Sequence, residues 1–223
     1  MLSKKLFVYI LALVTMASLN SMNAATVFMA DLDGLQVAPP LGPTSSLATG
    51  TATLSLDTSS PGGPTLAYTL QLNGLDLGAN PTSPVDDNDV TAIHIHIGAP
   101  GVNGPHALNL FGTAGGSVRV DDADASVDVS SSTVSGIWDN GDEEFTGAGG
   151  TKQPFDSFGL SDALADLEAG NLYFQLHTQG FPNGAIRGQI IAAPDSSAVP
   201  EPSTLALVAL GIGCLVVKLK GNR

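Results

Sequence analysis

The chain has 223 residues, 21 of them acidic and 8 basic, for a formal net charge of −13. That length suits one substantial domain, or two small ones, with targeting segments at its ends. The charge repels nucleic acid and anionic lipid and so argues against both as partners. It fits a solvated extracellular protein, one that binds cations, or one that meets basic partners.

The first 25 residues carry Lys4 and Lys5, an apolar run from Leu6 to Ala17, and small residues at Ala24 and Ala25. This is the anatomy of a secretory signal peptide, with cleavage expected after Ala24; a buried core helix is the competing reading. From there to residue 196 only Arg119, Lys152 and Arg187 are positive, against 20 acidic residues. The single cysteine, Cys214, lies near the far end, so this stretch has no disulfide. A core, or a bound ion, must hold it together.

The middle, residues 25–192, shows short alternating runs broken by Gly, Pro and Asn. That pattern predicts an all-β fold: a single Greek-key-like sandwich, immunoglobulin-like or superoxide-dismutase-like, with one short helix. Strands are expected near 25–34, 46–58 and 65–75. In the second, Ala52, Leu54 and Leu56 alternate with Thr51, Thr53 and Ser55; in the third, Leu66, Tyr68, Leu70 and Leu72 share a face. A strand near 90–97 follows, then a loop through Gly98–Gly104, then a run starting at His106. Residues 117–139 read as one or two strands with an acidic turn, and 141–154 as a long mobile loop. LSDALADLEAG, residues 160–170, reads as the helix: Ser161 caps it, Leu164 and Leu167 share a face, and Gly170 ends it. Two further strands, NLYFQLHTQG and GAIRGQIIA, are joined by the hairpin turn FPNGA. Residues 193–199 are a linker.

Three of the four histidines lie in AIHIHIGAPGVNGPH, residues 92–106. Strand alternation puts Ile93, Ile95 and Ile97 on a core face and His94 and His96 on the other, with Cα atoms about 6.5–7 Å apart. His177 lies on the non-core face of its own strand, with Tyr173 and Gln175. If the two strands are neighbours, His94, His96 and His177 can bind one copper or zinc ion, with His106 as a fourth ligand should the Gly98–Gly104 loop fold back. The competing account is structural, with histidines hydrogen-bonding across the sheet or to loop carbonyls. Arg187 shares a face with Ala185 and Gln189 and is expected to lock a loop through carbonyls or a carboxylate, or to bind a ligand. The acid clusters at 86–89, 121–124 and 142–144 lack EF-hand spacing and read as calcium sites or as solvated turns. No Gly-x-Ser-x-Gly element, cysteine nucleophile or phosphate loop is present, so no catalytic residue is assigned.

Two stretches resemble known families. VPEPSTLALVALGIG followed by KLKGNR resembles the PEP-CTERM sorting signal of Gram-negative bacteria: a Val-Pro-Glu-Pro motif at Pro200, Glu201 and Pro202, an apolar segment 205–217, and a basic end. The segment is short for a span and suits a transient stop in the inner membrane; an ordinary C-terminal anchor is the alternative. The resemblance implies processing by an exosortase-type enzyme and delivery to the cell surface or an exopolysaccharide-rich matrix.

AIHIHIGAPGVNGP and GNLYFQLHTQGFPNGAIRGQI resemble the CHRD domain. This implies one β-rich domain without a known enzymatic activity, and a surface or matrix protein with a non-enzymatic binding or structural role. His94, His96 and His177 match the motif histidines of that family. The histidine pattern, including His106, is also loosely similar to the copper centre of copper/zinc superoxide dismutases, but no bridging-zinc ligand set accompanies it. The alternative function is a secreted copper- or zinc-binding protein.

Overall fold

The computed structural model describes residues 25–144 and 151–194. The expected signal peptide, the Pro200-Glu201-Pro202 motif and the apolar segment 205–217 lie outside these. The first of two compact units ends at Ala192. Among the described residues no helix is long and apolar enough to cross a membrane.

Ten antiparallel strands form the unit: β1 (Thr26–Leu32), β2 (Thr49–Asp57), β3 (Thr65–Asn73), β4 (Val90–Ile97), β5 (His106–Ala114), β6 (Ser117–Val118), β7 (Ser126–Asp128), β8 (Thr133–Trp138), β9 (Leu172–Thr178) and β10 (Ile186–Ala192). They hydrogen-bond in the order β6-β5-β4-β9-β10-β1-β2-β3-β8-β7, one continuous sheet that curls around its own core. The all-β expectation therefore holds, with the two halves of the core wall joined through the β10–β1 pairing.

Alternation drives the burial. In β2, Ala52, Leu54 and Leu56 are buried; in β3 the buried set is Leu66, Tyr68, Leu70 and Leu72. Facing them across the core are Ile93 and Ile95 of β4 and Leu172, Phe174 and Leu176 of β9. Burying side chains of this size stabilises by roughly 1.5–3 kcal/mol each, which lets the fold stand without a disulfide. Trp138, fully buried at the end of β8, satisfies its indole N–H on the Phe158 carbonyl at 2.8 Å.

The one α-helix among the described residues, α1 (Leu160–Glu168), buries Leu160, Ala163 and Leu167, while Leu164 packs partly against the core. Gly170 just past its end has a φ of +71°, the left-handed conformation glycine adopts most readily. Ser161 is not the cap. The cap position is Gly159, with no side-chain bond, and the amide of Ser161 donates instead to Asn140 Oδ1 at 2.8 Å. A side chain from a distant turn does the work assigned to a local one. Residues 117–138 hold three short strands rather than one or two. The stretch expected as a long loop begins within a 3-10 turn, Asn140–Asp142, closed by a capping box between Asp139 and Asp142.

Candidate metal centre

β4 and β9 are direct antiparallel neighbours, with His94 opposite Gln175, His96 opposite Tyr173 and Ala92 opposite His177. The face that carries the histidines is not open to solvent. His94, His96 and His106 are 4%, 7% and 9% exposed, so both faces of β4 are covered. The Gly98–Gly104 segment folds back over it: the amide of Ile97 donates to the Pro105 carbonyl, and that of Gly104 donates to the Tyr173 hydroxyl oxygen. A Cβ on Gly104 would sit 1.6 Å from the Ile97 carbonyl oxygen, so only glycine permits this approach. Gly104→Ala is expected to cost about 2–4 kcal/mol, read as a lower urea midpoint, because the backbone must move to admit the methyl group.

His106 reaches the site by another route. It is the first residue of β5, and the β4–β5 register shifts twice: Ile93 faces Phe111, His94 faces Asn109, Ile95 faces Leu108, and His96 faces His106. Each shift inserts an extra β5 residue, a bulge that re-aims side chains. The result puts His106 and Asn109, three apart in sequence, in contact on one face, with Ala107, Leu108 and Leu110 fully buried. The ligand nitrogens of His94, His96 and His106 lie within 4.8 Å of one another. The His177 ring centroid is 5.2 Å from that of His94, and those of His94 and His96 are 4.1 and 4.3 Å from His106. His94, His96 and His106 thus form the tight group, and His177 stands beside it against His94.

The hydrogen bonds fix the tautomers. His94 Nε2 meets the Thr113 carbonyl at 3.1 Å, His96 Nδ1 the Gly104 carbonyl at 3.0 Å, and His177 Nδ1 the Pro182 carbonyl at 3.0 Å. A carbonyl only accepts, so each of these nitrogens carries the proton. His106 Nδ1 contacts Asn109 Oδ1 at 2.9 Å; the Asn109 amide group already donates to Asp121 and to the Phe155 carbonyl, so its oxygen is the acceptor here too. Of the remaining four nitrogens, three, His94 Nδ1, His96 Nε2 and His177 Nε2, are buried without a hydrogen-bond partner. Each neutral ring has one donor and one acceptor. With every donor turned outward, the histidines cannot hydrogen-bond to one another.

Charge follows the same logic. Burial, reinforced by mutual repulsion with His106, His177 and His96, holds the His94 pKa well below the ordinary imidazole value. Burial brings that of His96 down to about 3. His106 and His177 are lowered as well, first by burial. The rings are neutral at neutral pH, the form that binds metals.

Around the rings lies a supporting layer. Tyr173 stacks on His96, centroids 5.1 Å apart at 11°, and the Arg187 guanidinium carbon lies 3.5 Å from the Tyr173 ring centroid. Arg187 is 1% exposed and donates to the Ala99 carbonyl and to Gln189 Oε1, each at 3.1 Å. Asn109 links His106 to Asp121, which Arg119 and Ser157 also engage. Phe155 packs edge-on against His106 and lines a cavity of about 590 Å³ with Arg119, Asp121 and Glu144. Alternation put Tyr173 on the histidine-bearing face without giving it a role, and did not single out Asn109, Gly104 or Phe155; the GAPGVNG loop and the Asn three residues after His106 were the available signals.

The acid clusters are absorbed by local bonding. Asp89 accepts the amides of Val85 and Asp86, Asp122 accepts the Tyr68 hydroxyl at 2.6 Å, and Glu144 pairs with Arg119. Asp142 accepts the amides of Asp139 and Ala123. Burial pushes its pKa up to about 6; those two amides oppose the shift, and the charges of Asp122 and Asp139 add to it. A raised carboxyl pKa means the native state holds the proton more tightly. Stability from this group is full below about 4 and is lost as pH rises through about 6. Asp142→Asn is expected to remove this gain on acidification, which opposes the loss from the buried histidines, and so to give a larger fall in urea midpoint between pH 6 and 4.

Two family models match the chain. That of the CHRD domain covers residues 28–190, and that of the PEP-CTERM protein-sorting motif covers 198–220. No curated protein and no solved structure matches.

Proposed function

We propose that this chain, which belongs to the CHRD domain family, holds one copper or zinc ion on His94, His96, His106 and His177. Its sorting motif marks it as an exported protein recognised by an exosortase and processed at the membrane in Gram-negative bacteria. Neither family is an enzyme family, and the proposed role is binding rather than turnover.

One observation carries the reading: every imidazole N–H is spent on an oxygen, while the second ring nitrogens of His94, His96 and His177 are buried without a hydrogen-bond partner. Purely structural histidines would pair donor with acceptor, since a buried polar atom left unpaired costs about 1–3 kcal/mol. A cation removes that cost for all of them at once. The carbonyls and Asn109 then act as the outer partners that orient ligating imidazoles. Bonds of about 2 Å to one ion need a contraction of the His94, His96 and His106 nitrogens, already within 4.8 Å of one another, and an approach of His177, whose ring centroid is 5.2 Å from that of His94.

The test is elemental analysis of the exported protein purified without a histidine tag. Stoichiometric copper or zinc that disappears in His94→Ala and in His177→Ala supports the site. Absence of metal, with melting unchanged on adding either ion, rejects it. Retention at the cell surface or in an exopolysaccharide matrix is a second, compatible reading. It is favoured by the sorting motif and by the acidic surface of the exported stretch, and is tested by fractionating cells that do and do not make the matrix.

A further inference from the structure

The four imidazoles bring no negative charge to a bound cation. The metal-capable group contains histidines alone, with no carboxylate or thiolate among its members. The nearest acid reached through hydrogen bonds, Asp121, is already paired with Arg119, and Arg119 also bridges to Glu144 and Asp156. Arg187 differs. It is 1% exposed, makes no ion pair among the described residues, and leaves Nη1 buried without a hydrogen-bond partner. Its contacts are neutral: the Ala99 carbonyl, Gln189 Oε1 and the Tyr173 ring. Tyr173 touches both Arg187 and His96, which places the guanidinium within about 9 Å of the His96 ring.

We infer that the site is built for copper in its monovalent state, with Arg187 as the residue that disfavours divalent ions. This rests on the metal-binding reading above. Four neutral imidazoles leave a bound ion its full charge, and the penalty for burying charge rises steeply with its magnitude. A fixed guanidinium nearby adds repulsion that grows with each unit of charge. At about 9–12 Å from the ion and an effective dielectric of about 20, one additional unit changes affinity roughly ten- to twentyfold. Cu(I) escapes that extra repulsion; Cu(II) and Zn(II) do not. Imidazole is a good ligand for copper in general, so what separates the candidates is charge rather than ligand type.

The experiment measures dissociation constants of the mature protein for Cu(I), by anaerobic competition with a chromophoric Cu(I) chelator, and for Cu(II) and Zn(II) with matching chelators. Cu(I) is expected to bind more tightly than either divalent ion. Arg187→Gln is expected to shift the Cu(II)-to-Cu(I) ratio of constants about tenfold towards Cu(II), and Arg187→Lys, which keeps the charge, to leave it within about threefold. A merely structural arginine would fail alike in both variants. If Arg187→Gln does not fold, Gln189→Glu decides, because it sets a carboxylate beside the guanidinium and should shift the ratio in the same direction. Tighter binding of Cu(II) or Zn(II) by the native protein, or a ratio indifferent to these charge changes, overturns the inference while leaving the metal site standing. Binding of no ion in any state overturns the site itself.

Discussion

Between pH 7 and pH 5 the metal-free protein is expected to lose on the order of 4 kcal/mol of stability through His94 and His96 alone. Both are buried and neutral in the folded chain, with pKa values pushed well below the ordinary 6.5 for His94 and to about 3 for His96. In the unfolded chain each takes up a proton near 6.5. The unfolded state therefore binds more protons over this interval, and stability falls as pH falls from about 6.5. For His96 the loss continues until the pH nears 3. Each such group contributes up to about 1.4 kcal/mol per pH unit. His106 and His177 act in the same direction, since both are lowered.

Asp142 acts oppositely between about 4 and 6, so Asp142→Asn should steepen the acid loss rather than relieve it. A domain with total stability of about 5–15 kcal/mol would be close to unfolding by pH 4–5. Urea titrations of chelator-treated protein at pH 7, 6 and 5 provide the check. A midpoint that does not move would show that the histidines are solvated or already charged in the native state, and the description of the site as a ring of neutral acceptors would fall.

The strand pattern was legible because alternation is a one-body property: each of β1 to β4 follows from its own apolar spacing. The pairing of β4 with β9 was not, because nothing in two separate strands says that they touch. His94, His96 and His177 could be named as a set, but only sheet order brings them together. His106 was harder still. Period-two reasoning fails across β5, where two register shifts put His106 and Asn109 on one face at a spacing of three. Bulges arise from pair geometry and carry no composition signature beyond a nearby glycine such as Gly112, whose φ is +79°.

Burial was misjudged for a related reason. The histidine face reads as a polar outer face, yet the Gly98–Gly104 loop and the turn ending at Gly184 cover it. The carbonyls of Gly104 and Pro182 are the groups that turn the His96 and His177 lone pairs away from solvent. Loop backbone, which no side-chain pattern reports, decides the tautomers here.

Copper added to the native protein is expected to raise its melting temperature by about 5–10 °C at a free concentration a hundred times the dissociation constant. Linkage supplies about 2.7 kcal/mol under that condition, and a domain of this size gains about 2–4 °C per kcal/mol. The sharper expectation concerns His96→Leu. In the metal-free state this variant should melt within a few degrees of the native protein. It removes a buried, unpartnered Nε2 and fills the same space with an apolar side chain against Tyr173, while it strands the Gly104 carbonyl. These effects oppose each other at about 1–3 kcal/mol each. Copper should then add almost nothing, because the tight trio has lost a member. A histidine kept for packing and hydrogen bonding predicts the reverse: a variant that melts well below the native protein, and a native protein indifferent to copper. The two differences, native against variant and with against without metal, separate a cluster that is costly until filled from one that is stable as it stands.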